Sequence, residues 1–233
     1  MKETVPVIAV DGPSGVGKGT LCRSLAEALG FHLLDSGSLY RLTALAAARA
    51  GLRDDDAGGL VQVAATLDVR FDSGEDDLVV LLAGEDVTAA IRTESAGMAA
   101  SKVAIVPEVR AALLQRQRDF RRAPGLVADG RDMGTVVFPD APLKIFLVAS
   151  PAERARRRHK QLSEKGVDAN LAALETEIAE RDARDAGRAS APLKPAPDAV
   201  ILDTDDLGID AVRDRALALV AGRLHVPGQQ DRS

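Results

Sequence analysis

Gly12-Pro13-Ser14-Gly15-Val16-Gly17-Lys18-Gly19-Thr20 has the residue types and spacing needed to hold an anion. Glycines let successive backbone N–H groups turn toward one point. A lysine at the far end of the loop reaches the outer phosphates of a triphosphate, and a helix starting there adds a partial positive charge. The flanks are the ones this chemistry requires. Val7 to Val10 is an apolar run that reads as a buried strand, and Leu21, Leu25 and Leu29 fall on one face of a helix that Gly30 closes. Strand, Gly-x-x-x-x-Gly-Lys and helix together point to a nucleoside triphosphate such as ATP, with the whole run Gly12 to Thr20 as its binding loop. Gly19 stands where many such loops carry a Mg²⁺-binding hydroxyl, which here comes one residue later at Thr20, so the metal ligands are left open.

Arginines supply the other half of the chemistry, because a guanidinium fork matches phosphate oxygens. Arg41 follows Asp35-Ser36-Gly37-Ser38-Leu39-Tyr40. Arg131 sits between Gly130 and Asp132 just beyond an apolar run, a place that packing does not explain. Arg181, Asp185 and Arg188 are spaced to share one helix face, which suits either a solvated ion-pair face or a binding surface. The run Arg154, Arg156, Arg157, Arg158, His159, Lys160 reads as a solvated helix or as a lid over the triphosphate. In the lid reading Arg154 and Arg158 point at the phosphates, with Arg157 beside them. His32 and His159 read as structural or surface residues. Asp129 either anchors Mg²⁺ through water or holds Lys18.

These groups need a scaffold. Besides Val7–Val10, the runs His32–Asp35, Leu126–Asp129, Leu143–Val148 and Ala199–Asp203 read as core strands with helical stretches between them. That alternation predicts an α/β fold built on a parallel sheet. Such sheets bind ligands at the carboxyl ends of their strands, where the phosphate loop, Asp35-Ser36-Gly37 and Asp129-Gly130-Arg131-Asp132 all fall. Between about Leu60 and Gly97 the alternation breaks. Asp68–Phe71 and Leu78–Leu82 predict a small antiparallel insertion, with turns at 72–77 and at Gly84-Glu85-Asp86. The last residues, 227–233, are polar and read as a disordered tail.

Composition narrows the class. With 35 acidic residues against 30 basic ones, a net charge of −5 and 3% aromatic residues, the chain has neither the basic imprint nor the stacking platforms of a nucleic-acid binder. Cys22 is the only cysteine, so disulfides within the chain and cysteine metal clusters are excluded, and it reads as core packing. No apolar run is long enough to cross a membrane, and Asp11 interrupts the N-terminal one; a soluble cytoplasmic protein is expected. A GTP switch would carry Asn-Lys-x-Asp, yet the one asparagine, Asn170, is followed by Leu171. Another phosphate-loop kinase, acting on UMP, AMP or a small metabolite, remains the alternative enzyme.

Four motifs carry a family resemblance. Gly-Pro-Ser-Gly-x-Gly-Lys-Gly-Thr at 12–20, Leu34-Asp35-Ser36-Gly37-Ser38-Leu39-Tyr40-Arg41, the run Asp129 to Ala141, and Glu180-Arg181-Asp182 through Arg188-Ala189-x-Ala191-Pro192-Leu193 resemble the bacterial cytidylate kinases. The likeness runs from about Val5 to Leu224, and the order Gly19-Thr20 is usual among nucleoside monophosphate kinases.

The resemblance implies a P-loop nucleoside monophosphate kinase fold: a central parallel sheet flanked by helices, with a small antiparallel insertion and a short lid. It divides the chain into core at 1–59, a monophosphate-binding insertion at 60–100, core at 101–149, a lid at 150–165, core at 166–226 and the tail. It implies phosphorylation of CMP and dCMP by ATP with Mg²⁺, and nothing in the sequence demands more than a monomer. Lys18, Arg131 and Arg188 would be catalytic, and Gly12 to Thr20 with Arg157 would bind ATP. Ser36, Arg41, Arg131 and Arg188 would hold the acceptor phosphate. Ser101, Arg110 and Asp132 would read cytosine, and Arg181 and Asp185 would contact the ribose.

Overall fold

Five residues, Val7 to Asp11, are buried without a break, as expected of a strand covered on both faces at the middle of a parallel sheet. In a computed structural model, which describes residues 5–53, 55–73, 78–164 and 166–224, this strand is β1. It is followed by α1 (Lys18–Leu29), β2 (His32–Asp35), α2 (Ser36–Arg49) and α3 (Ala57–Ala65). Next come β3 (Val69–Ser73), β4 (Leu78–Leu82), β5 (Glu85–Asp86), α4 (Glu94–Val103) and α5 (Pro107–Arg118). The chain continues with β6 (Leu126–Gly130), β7 (Leu143–Val148), α6 (Pro151–Glu164), α7 (Leu171–Ala186), β8 (Val200–Asp203) and α8 (Ile209–Arg223). The expected tail at 227–233 and residues 74–77 of the expected turn lie outside the described residues.

Residues 1–35 and 118–233 form one compact unit, and residues 36–117 form another. The first is built on a five-stranded sheet in the order β2-β6-β1-β7-β8, every pair parallel. Its register sets Asp11 opposite Gly130 and Asp35 opposite Asp129, so the loops leaving β1 and β6 start side by side. Ile8, Val10, Leu21, Leu25, Ile145, Leu147 and Val212 form part of the core between this sheet and helices α1 and α8. Gly30 closes α1 as its spacing predicts, with φ 65 and its N–H returned to the last turn.

The second unit pairs an antiparallel sheet, β3-β4-β5, with helices α2 to α5, and α2 packs on both α3 and α4. The segment 60–100, expected as the insertion, lies within this unit, together with helices on both sides of it. The expected turn at Gly84-Glu85-Asp86 is shorter than the sequence suggests. Ala83 and Gly84, both at positive φ, make it, and Glu85 and Asp86 already pair with Leu82 and Leu81 as β5.

Candidate functional site

The phosphate loop depends on a glycine at position 12. Its φ is +148, and a Cβ there would lie 2.4 Å from the carbonyl oxygen of Leu147. No side chain fits between β1 and β7 at that point. The loop then enters α1 through Gly17, which is also left-handed with φ 94. Lys18 is buried at the first position of the helix and donates through Nζ to the Pro13 carbonyl at 2.7 Å. Burial pushes its ammonium down to about 7, and the neighbouring charge of Arg131 adds to this, while Asp129 acts in the opposite direction.

Asp11, the last residue of β1, was visible in sequence only as an interruption of an apolar run. Its side chain is buried, and its two oxygens accept from the N–H groups of Met133 and Gly134, both at 2.8 Å. It therefore clamps the π-helical turn Met133–Val137 that follows Arg131 and Asp132. Burial pushes this carboxyl up to about 7, against the pull of those two donors. A carboxylate closing a fully buried strand must be satisfied by something nearby, and that was the signal available in the sequence.

Arg131 leaves the end of β6 and donates through Nε to Asp185 Oδ2 at 2.9 Å and through Nη1 to the Gly130 carbonyl at 3.2 Å. Arg188 donates to the other oxygen of the same carboxylate. The expectation that one helix face carries Arg181, Asp185 and Arg188 is corrected: α7 stops at Ala186, Gly187 follows, and Arg188 lies beyond the helix. It reaches Asp185 all the same, because three residues across a helix end still bring two side chains together. Asp185 is only 1% exposed. Burial would raise its carboxyl, but the charges of Arg131 and Arg188, and the hydrogen bond from Arg131, outweigh burial and hold it below the usual carboxylate range.

The arginines of α6, the helix of the lid expected at 150–165, all have partners within the protein. Arg154 is 2% exposed and bonds the Ser14 carbonyl and Asp182. Arg157 binds Glu153 Oε1 at 2.9 Å and Thr204 Oγ1 at 3.1 Å, tying α6 to the loop after β8. Arg158 donates to Gln161 at 3.3 Å. The reason for the burial of Arg154 is Asp182, a partner on α7 that no local pattern reveals.

In the second unit, Ser36 is buried at the start of α2, and Arg41 on the same helix donates to the Ile91 carbonyl at 2.7 Å. Ser101 on α4 is buried with no hydrogen-bond partner for its Oγ among the described residues. Arg110 on α5 is buried, donates to the Ala104 carbonyl at 3.4 Å and lies over the Tyr40 ring, 5.5 Å from its centroid. Tyr40 is marked in the sequence only by its place in a motif, and its ring gives the buried Arg110 guanidinium a cation–π partner.

The first unit thus brings together a strand–loop–helix with a buried lysine and a strand end whose arginine shares a carboxylate with a second arginine. The family model for cytidylate kinase matches residues 8–222. The chain belongs to the cytidylate kinase family. A cytidylate kinase of Edwardsiella ictaluri is 62% identical, over 94% of this chain and 97% of that one. The cytidylate kinase of Klebsiella pneumoniae is 58% identical, over 97% of this chain and all of the relative. Membership makes the protein a phosphotransferase with a nucleotide-binding phosphate loop. No described helix is long and apolar enough to cross a membrane.

Lys18 gives the family's loop a pH signature. A lysine whose pKa falls on folding contributes its stability above the unfolded value of 10.5 and loses it as pH falls through about 7, so charging Lys18 destabilises the ligand-free protein. A bound triphosphate reverses this by favouring the ammonium. ATP binding at about pH 8 is therefore expected to take up roughly half to one proton, and at about pH 6 almost none on Lys18. Titration calorimetry in two buffers of different ionisation enthalpy reads the uptake, and Lys18→Met should abolish it. Equal uptake in Lys18→Met would assign the proton elsewhere.

Proposed function

We propose that the protein transfers the γ-phosphoryl group of ATP to the phosphate of CMP, giving ADP and CDP, with dCMP as a second acceptor and without need of a partner chain. The observation that carries the reading is Asp185 holding Arg131 and Arg188 together beside the loop that contains Lys18. An oxygen of the acceptor phosphate attacks the γ-phosphorus, the bond to the β–γ bridging oxygen breaks, and ADP leaves. That oxygen is already ionised near neutral pH, so no general base is required. What the reaction asks of the protein is alignment and positive charge around a loose transition state.

Lys18 and the N–H groups of Gly12 to Thr20 hold the donor phosphates in this reading. Arg131 and Arg188 bridge donor and acceptor, and Ser36 and Arg41 hold the acceptor phosphate. Arg157 contributes to the ATP site from α6. Mg²⁺, when bound, supplies charge neutralisation on the donor phosphates. Asp129 suits it, since a Cβ on Gly19 would lie 3.6 Å from Asp129 Oδ2, which sets a hard oxygen donor at the start of α1. Among the described residues no cluster of three or more His, Cys, Asp or Glu side chains could cage a metal.

Asp132 accepts from the exocyclic amine of cytosine, and Ser101 and Arg110 supply donors to N3 and O2. Arg181 and Asp185 meet the ribose. Uracil would turn its O4 toward Asp132 and leave polar groups unpaired, a large penalty in a site built for hydrogen bonding. Asp132→Asn tests this directly: the ratio of kcat/KM for CMP over UMP is expected to fall by about tenfold or more. An unchanged ratio in a folded variant would remove Asp132 from base recognition.

A further inference from the structure

We propose that Arg154 is a positioning residue that fixes the phosphate loop in its anion-binding form. The inference rests on the reading of Gly12 to Thr20 as the donor loop. Four arginines crowd α6: Arg156 pairs with Glu153 at 2.8 Å, Arg157 with Glu153 and with Thr204 in the loop after β8, and Arg158 with Gln161. Arg154 is of another kind, being the largest side chain in the protein that is fully buried among the described residues. Its Nε donates to the Ala149 carbonyl at 3.1 Å. Nη1 donates to Asp182 Oδ1 at 3.0 Å and to the Ser14 carbonyl at 3.1 Å, and Nη2 donates to Asp182 Oδ2. Burying a guanidinium is costly even when it is paired, and an apolar side chain of similar volume would often serve stability as well. What an apolar side chain cannot do is hold a carbonyl.

The carbonyl it holds matters. In a trans peptide the C=O and the following N–H point in opposite directions. With Ser14 C=O drawn to Arg154, the N–H of Gly15 faces away from α6, the orientation a loop N–H needs to meet a phosphate. Gly15 is at φ +77, and a Cβ there would be 3.4 Å from Arg154 Cβ, so the loop lies directly against this arginine. Lys18 takes the preceding carbonyl, that of Pro13. Two basic side chains thus claim two successive carbonyls of the loop. Without Arg154 the Ser14–Gly15 peptide is released to turn over, and a carbonyl oxygen would then face the triphosphate. Asp182 fixes the angle of the guanidinium, so α7, which also carries Asp185, is tied to the donor loop through the same side chain.

The test is equilibrium ATP binding by calorimetry, CMP KM by steady-state assay and thermal melting, on the full chain carrying Arg154→Met or Arg154→Lys. Arg154→Met is expected to weaken ATP by about tenfold or more, the order set by loss of a charge-assisted hydrogen bond, with CMP KM changed less than about threefold. Arg154→Lys, which keeps the charge but cannot bond Ser14 and Asp182 together in a fork, should fall between. Guanidinium ion added to Arg154→Ala should restore part of the ATP affinity. ATP affinity within about threefold of the parent in folded variants overturns the proposal, and so does equal weakening of ATP and CMP, the mark of a merely structural residue. If Arg154→Met does not fold, Arg154→Lys is judged by the same selectivity for ATP. A parent protein that fails to bind ATP would sink the donor-loop reading, and this inference with it.

Discussion

Arg131→Ala is expected to lower kcat for CMP phosphorylation roughly 10²- to 10⁴-fold in a protein that still folds. Arg131 stands at the end of β6, opposite the start of the phosphate loop in the strand register, and its charge reaches Lys18. Its guanidinium is partly exposed and anchored through Nε on Asp185, so its removal disturbs charge more than packing. In a loose transition state negative charge lies on the transferring oxygens, and a cation aimed there is worth most when the phosphoryl group is between partners. The loss should therefore appear in kcat rather than in KM for ATP. A second consequence is independent of turnover. Arg131 depresses the Lys18 pKa, so the variant should take up less proton on binding ATP at about pH 8. A fall in kcat of less than about tenfold would deny Arg131 its transition-state role.

Asp185→Asn is the second large effect, on stability and activity together. Asp185 is buried and carries both Arg131 and Arg188. The amide keeps its shape but loses the charge, and its NH₂ must face a guanidinium. Leaving charged donors without their partner costs about 2–3 kcal/mol, tempered here because Arg131 is partly exposed. In a chain of this length that is roughly 5–10 °C in Tm. With both arginines misplaced, kcat/KM for CMP should fall about 10²-fold or more. The pH dependence has a definite sign. A carboxylate held below its unfolded pKa contributes stability above the unfolded value and loses it as pH falls through the folded one. The Tm difference between parent and Asp185→Asn should thus be full at neutral pH and shrink in acid. A variant that melts with the parent and keeps its kcat/KM would show that the arginines do not depend on this carboxylate.

The parts of this site that follow from local pattern were legible in the sequence. β1, the glycine-rich loop, α1 and its closure at Gly30 could be read because each rests on neighbours in the chain. The strands β2, β6, β7 and β8 appear within a residue of their apolar runs. What escaped depends on partners distant in sequence. Arg154 looks like the surface of a charged helix until Asp182, on another helix, meets it. Asp11 looks like the end of an apolar run until the N–H groups of Met133 and Gly134 arrive 122 and 123 residues later. The end of α7 was a different kind of miss. Gly187 marks it in the sequence, but the spacing of Arg181, Asp185 and Arg188 suggested a helix that continued. Arg188 is brought to Asp185 by the chain leaving the helix.

If a cytosine nucleoside monophosphate is the acceptor, the most direct measurement is ADP release from ATP and Mg²⁺ with CMP, dCMP, UMP and AMP offered separately at the same sub-millimolar concentration. Turnover is expected to be fast with CMP and dCMP, with CDP and dCDP formed in step with ADP, and slow with UMP or AMP. Equal or faster turnover with UMP or AMP would contradict it, leaving the phosphate loop and its arginines in place but taking base recognition away from Ser101, Arg110 and Asp132.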